Sequence, residues 1–217
     1  MRKITTATFV SLDGVMQAPG GPQEDPVGGF EFGGWTFHYW DDVGSAFIGE
    51  TFAKPFALLL GRKTYGIFAA HWPYQKDDPI ADRFNAVTKY VATHRPDTLS
   101  WQNSQSLGDD VVATLRQLKQ EDGPDLLIQG SSELVQILLA NDLIDEISLL
   151  TFPLVLGKGK RLFGSGAIPA AFKLNRSQAS TTGVIIASYK RAGEIKTGSF
   201  AQQQPSEAEI ERRRTWK

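Results

Sequence analysis

The chain reads as an α/β protein built on a largely parallel sheet that ends in an antiparallel hairpin, and three observations predict this. Short apolar runs such as Phe56-Ala-Leu-Leu-Leu60 recur, and most precede a segment with helical spacing of its apolar residues. Strands alternating with helices imply a parallel sheet, and runs without polar alternation fit strands buried on both faces. The last two strand-like segments, 172–179 and 183–190, have no helix between them and read as the closing hairpin.

Taken in order, residues 3–11 carry β-branched side chains and read as a strand entering the core, turned by Leu12-Asp13-Gly14. Residues 18–37 form a long Gly/Pro loop that carries Phe30, Phe32, Trp35 and Phe37. Structureless loops of this length inside a compact domain are often functional. A flap over a ligand and a loop stapled to its own core fit it equally well. Val43, Ala46, Phe47 and Phe52 give 41–53 a helical face, and 56–60 is a buried strand ended by Gly61. A helix is expected over 64–70, a strand over 87–93 and a short strand over 100–103. Val111, Leu115 and Leu118 mark a helix over 110–121, stopped by Gly123-Pro124. A strand over 125–129, a helix over 131–140 and a strand over 145–152 follow. The polar stretch 191–217 lies outside the expected domain, 1–190, and its Ser206-Glu-Ala-Glu209 capping box begins a short helix over 207–213.

The length of 217 residues suits one well-buried core. A net charge of −1 gives no general field for nucleic acid or anionic lipid, so any anionic ligand must be held by local groups. With no cysteine, disulfides, cysteine-ligated zinc and thiol nucleophiles are excluded. The N-terminus has no signal-peptide core and no apolar run approaches the roughly eighteen residues of a membrane span, so a cytoplasmic protein is expected.

Ligand sites of parallel α/β sheets lie beyond the carboxyl ends of the strands, where three segments carry suitable groups. At Gly61-Arg62-Lys63-Thr64 the glycine allows a tight turn, two cations follow, and a helix presents free N–H groups to an anion. A plain helix cap with two solvated basic residues explains the stretch about as well. Gly130-Ser131-Ser132 repeats the strand-to-helix arrangement, though a capping serine pair would also account for it. Thr93-His94-Arg95 places a hydroxyl, an imidazole and a guanidinium at a strand end before Pro96; a polar strand end is its bland alternative. Together the three suit a phosphorylated dinucleotide.

Competing motifs fail on detail. Gly157-Lys-Gly159-Lys-Arg-Leu162 has leucine where a dinucleotide fingerprint needs its third glycine. His38, His71 and His94 lack metal-ligand spacing, so no metal is expected, and Ser165 lacks the nucleophile-elbow pattern.

Leu58-Leu-Leu-Gly-Arg-Lys-Thr-Tyr65 resembles the cofactor motif of dihydrofolate reductase. Ser11-Leu-Asp-Gly14, Gln129-Gly-Ser-Ser-Glu-Leu134 and Pro153-Leu-Val-Leu-Gly-Lys-Gly-Lys-Arg-Leu-Phe163 more closely resemble the reductase domain of bacterial riboflavin biosynthesis, the RibD C-terminal domain. The resemblance covers residues 3–190 in the same order. It implies a dihydrofolate reductase-like fold, a mixed, mostly parallel eight-stranded sheet flanked by helices, with NADPH as cofactor and a homodimer as the assembly. Carried over by position, Gly61, Arg62, Lys63 and Thr64 would hold the pyrophosphate and 2′-phosphate region. Thr93, His94 and Arg95 would surround the 2′-phosphate, and Gly130, Ser131, Ser132 and Leu134 would line the pyrophosphate and nicotinamide ribose. Asp13 and Gly14 would lie by the nicotinamide. Dihydrofolate reductase has a Gly-Gly pair where this chain has Gln129-Gly130, and its essential carboxylate has no clear match; Asp41 and Asp42 lie nearby at a helix start.

The expectation is an NADPH-dependent reductase that transfers hydride to a C=N or C=O bond of a small heterocyclic substrate, on the pattern of 5-amino-6-(5-phosphoribosylamino)uracil reductase. Asp13 is the first candidate for orienting or protonating substrate and Asp42 the second, with Trp72 as a wall for a flat ring. The alternatives are a non-catalytic NADPH-binding dimer that kept the fold, and an authentic dihydrofolate reductase.

Overall fold

Six strands run parallel because the segment after each of the first five carries the chain back to start the next strand at the same end of the sheet. In the computed structural model, which describes residues 1–164, 168–200 and 204–216, these are β1 (Ile4–Ser11), β2 (Phe56–Gly61), β3 (Lys89–Ala92), β4 (Ser104–Ser106), β5 (Asp125–Ile128) and β6 (Glu146–Phe152). The hairpin of β7 (Phe172–Ala179) and β8 (Ile185–Arg191) adds through β8, which pairs antiparallel with β6. The eight-stranded order is β4-β3-β2-β5-β1-β6-β8-β7. Every residue of β2 is buried, as its unbroken apolar run requires of a central strand covered on both faces.

The helices divide by face, and side-chain alternation records the division. On the first face Ala7, Leu58, Leu60 and Leu127 meet α1 (Asp42–Ala53), α2 (Arg62–His71) and α3 (Pro79–Ala86) through Phe47, Phe52, Tyr65 and Phe84. On the second, Ile4, Ala57, Leu59 and Ile128 meet α4 (Val111–Gln120) and α5 (Ser132–Ala140) through Leu115, Leu118, Leu134 and Leu138. The final helix, α6 (Glu207–Thr215), starts at the Ser206 cap, carries Glu209–Arg212 and Glu209–Arg213 ion pairs, and buries no residue. No helix among the described residues is long and apolar enough to cross a membrane.

Three local readings change. The expected strand at 100–103 is not one: Trp101 is buried, its indole N–H bonded to Asn85 Oδ1 at 2.7 Å, and Asn103 turns the chain with φ +59°, so pairing begins at Ser104. Helix α3 was not anticipated, although Asp78 caps it by accepting N–H bonds from Ile80 and Ala81 and Pro79 occupies its first position. Helix α2 begins at Arg62, directly on β2. Ser165 falls outside the described residues.

At the start of β3 lies a buried cation with no carboxylate partner among the described residues. The Lys89 ammonium donates to the carbonyls of Asn85 (2.9 Å) and Gln102 (3.0 Å) and sits 4.2 Å from the Trp101 ring centroid. Burial draws its pKa down from the ordinary 10.5 to about 8, while the carbonyls and the ring face favour the charged form. This knot holds the 93–103 segment against α3.

Candidate functional site

Adjacent parallel strands whose following helices go to opposite faces open a crevice between them. Here β2 leads into α2 on the first face, while its neighbour β5 leads into α5 on the second. The chain leaving β1, on the other side of β5, returns to the first face through α1. The carboxyl ends of β2, β5 and β1 therefore define one site.

The two helices that start at this crevice differ from the others. Side chains cap α1, α3, α4 and α6, through Asp41, Asp78, Asp110 and Ser206. Neither α2 nor α5 has a side-chain cap bond, although Ser131 stands at the α5 cap position. Both leave first-turn N–H groups and the positive end of a helix dipole for an external acceptor. Arg62 and Thr64 are half-buried at the start of α2 and Lys63 is exposed.

Gly61 is required for a reason other than the tight turn expected of it. Its backbone is ordinary and extended, φ −77°, but a β-carbon there would lie 1.9 Å from Ser131 Oγ and 3.9 Å from Leu134 Cβ. The β2 and β5 ends are thus pressed together at one glycine. Ser131 itself has φ +89°, and Gly130 before it has φ +125° beside Thr64 and Met16. A left-handed non-glycine residue is strained backbone held by its surroundings. Ser132 is half-buried, and Leu134 faces the second core. One strand further out, Thr93 is buried and its hydroxyl accepts the Arg95 N–H at 3.0 Å, leaving His94 and Arg95 exposed just beyond β3.

Asp13 is occupied as an anchor. Its carboxylate accepts from Ser11 Oγ (2.6 Å), Leu156 N (3.1 Å) and Gly157 N (3.0 Å), and pairs with Arg161 at 3.2 Å. The Ser11 hydroxyl leads the interactions that hold its pKa at about 2. A carboxyl so held is an anion at neutral pH. It clips the turn after β1 to the 154–161 loop, and Gly14 continues the clip with φ +79° and its carbonyl bonded to Leu162 N at 3.0 Å.

The 18–37 loop is stapled to the molecule. Phe30 and Trp35 enter the first core, Trp35 Nε1 donates to Gln17 O at 2.8 Å, and Lys160 pairs with Asp25. At its end Phe9 and Phe152 form an edge-on aromatic group with Trp40, Trp35 and Tyr39 on the first face. Two shallow depressions of about 290 and 260 Å³ flank Phe30 and Lys158 and contain none of the crevice residues.

Asp42 is exposed in the first turn of α1; the capping carboxylate is Asp41, which also accepts from Thr181 N and Oγ1. Trp72 is half-buried against Phe68 and Phe84 at the far end of α2, about 15 Å of helix from Gly61. Two groups escaped the sequence reading. Gln129, which the sequence marks only as standing in place of a glycine, has its Nε2 buried with no hydrogen-bond partner among the described residues. Glu24 accepts N–H bonds from Gly20 and Gly21, and burial raises its pKa. A polar residue closing an apolar strand signalled the first; nothing local signalled the burial of the second. Among the described residues no cluster could hold a metal ion.

The RibD C-terminal domain family model matches residues 2–186. The chain belongs to that family. The uncharacterized protein YwjB of Bacillus subtilis (strain 168) is 33% identical over 109 residues, which are 49% of this chain and 57% of YwjB, so the match spans little more than half of that relative. A putative riboflavin biosynthesis protein from Shewanella sp. PV-4 superposes with a TM-score of 0.64 at 21% identity, covering 88% of this chain and 99% of that one. Dihydrofolate reductase from Enterococcus faecalis, complexed with NADP(H) and RAB-propyl, gives a TM-score of 0.54 at 13% identity over 87% and 96% of the two chains. These two likenesses show the fold.

Proposed function

We propose that this member of the RibD C-terminal domain family is an NADPH-dependent reductase acting on a C=N or C=O bond of a small heterocyclic substrate. One observation carries the reading: the two helices without side-chain caps are the two that begin at the β2–β5 crevice. Their free N–H groups and the Gly61–Ser131 contact suit a pyrophosphate bridged between loops, which a plain structural cap would not need. Arg62 and Lys63 add charge there, Thr64, Gly130, Ser131 and Ser132 line the bridge, and Leu134 packs beneath it. Thr93, His94 and Arg95 would receive a 2′-phosphate, which favours NADPH over NADH.

NADPH, when bound, supplies the hydride. The chain's own residues bind and orient it, with the left-handed Ser131 backbone setting the turn into α5 and the Asp13–Arg161 clip fixing the turn after β1. Phe9 and Trp40, the less buried pair of the aromatic group, give a flat ring an apolar surface. With Asp13 held as an anion, the proton would come from water.

Equilibrium NADPH binding and NADPH consumption with a panel of C=N and C=O heterocycles test this. Binding in preference to NADH, with turnover of at least one compound, is expected. Absence of NADPH affinity would overturn the reading, and binding without any turnover would favour a cofactor-binding scaffold.

A further inference from the structure

The second core stops short of the hairpin. Among the described residues it takes in Ile147 and Leu149 of β6 but nothing of β8, and it reaches β7 only at Phe172. The pairs Leu149–Ala187, Ile147–Tyr189 and Leu174–Tyr189 put Ala187, Tyr189 and Leu174 on that same face, with Ile185 one alternation further along β8. Leu174 is 50% and Ile185 47% exposed there. On the opposite face the hairpin is covered: Val184 and Ile186 join the first core, and Arg176 pairs with Glu50 of α1.

The chain beyond β8 has apolar side chains with nothing beneath them. Ile195, Phe200, Ile210 and Trp216 are all exposed, and α6 buries no residue and makes its ion pairs within itself. A helix of nine residues is marginal in water on its own, so a surface to pack against would stabilise it. The whole molecule exposes 13003 Å², against about 9,900 Å² for a compact monomer of 23.9 kDa. The excess is several times the roughly 800 Å² that each partner gives to a stable interface.

We propose that the protein is a two-fold dimer in which residues 194–216 of each copy lie across the bare β7–β8 face of the other. The inference is independent of the reductase reading, and its arm lies beyond residues 2–186, which the family model matches. Position favours the exchange. Paired hydrogen bonds, Ala192 N to Ala171 O (2.9 Å) and Ala171 N to Gly193 O (3.1 Å), release the arm at the foot of β7, beside the bare face. Within one copy it leaves that face uncovered. Residues 194–206 span about 43 Å when extended, and the eight residues of β7 about 27 Å, so the arm reaches across a partner's hairpin. Contact through the face is favoured over pairing at the sheet edge. A register shift between Leu174 and Arg176 and the charges of Lys173 and Arg176 make β7 a poor template for another strand. Joined, arm and face bury apolar side chains that a single copy leaves in water.

The test uses the full chain. Sedimentation at micromolar concentration should give the wild type about twice 23.9 kDa. Leu174→Asp/Ile185→Asp on the face and Ile210→Asp/Trp216→Asp on the arm should each raise the dimer dissociation constant by about tenfold or more, with the circular dichroism of the fold retained. Leu174→Ser/Ile185→Ser, a milder change at the same exposed positions, should move it in the same direction if the aspartates disturb folding. The sequence has no cysteine, so Ile185→Cys/Ile210→Cys offers a short bis-maleimide only two kinds of attachment point. The expected product on a denaturing gel is two chains joined together. A monomeric wild type overturns the proposal, as does a dimer indifferent to either pair of substitutions. A link closed within one chain, or no link at all, overturns the exchange of arms.

Discussion

At Gly61 the important atom is the missing one. Alanine there would put a β-carbon 1.9 Å from Ser131 Oγ. Gly61→Ala is expected to cost about 2 kcal/mol or more, within the overpacking range, in urea denaturation. Ser131→Gly, which also relieves the φ of +89°, should recover most of that loss and stabilise the parent by about 1 kcal/mol. Additive effects of the two changes would show that the contact is not shared. Asp13 makes a second case. Its folded pKa lies below the unfolded value of 3.8, so its contribution is complete above that value and lost as the pH falls from there towards about 2. Asp13→Asn should flatten this acid limb of the stability curve and cost about 1.5–3 kcal/mol at neutral pH. Because the carboxylate is an anchor, the pH profile of turnover between pH 6 and 9 should keep its shape in the variant.

Capping is where the elements speak. Asp41 closes α1 and grips the β7–β8 turn through Thr181, so Asp41→Ala should lower the urea midpoint without changing the m-value. The start of α2 has no such residue to lose. The Lys89 knot gives a further measurement with a definite sign. A base whose folded pKa is lowered binds fewer protons folded than unfolded between about 8 and 10.5. Stability from this group therefore rises as the pH climbs through that window, and Lys89→Met should abolish the rise in chemical denaturation curves. A wild-type curve that falls or stays flat there would mean that the carbonyls and the Trp101 face outweigh burial.

For the molecule as a whole, ligand linkage gives the broadest check. On the reductase reading, NADPH at about a hundred times its Kd should stabilise the fold by about 2.7 kcal/mol and raise Tm by roughly 5–10 °C, with NADH doing less. Arg95→Gln should narrow that difference about tenfold in affinity. At this scale the reach of the sequence is also clearest. Local physics determined the buried strands, since an apolar run such as 56–60 can only lie inside, and it determined most helices through their periodic faces. It also marked the strand-end clusters, because glycine, hydroxyls and cations collect there against the grain of the neighbouring core. Only the tertiary structure decided that Gly61 answers to Ser131, seventy residues away. It alone turned Asp13 into a clip for the 154–161 loop and left Gln129 unpaired between β2 and β1. The reason is physical: propensity and periodicity are properties of neighbours in the chain, whereas a steric contact, a bound carboxylate or an orphaned N–H depends on what distant segments bring to the same point.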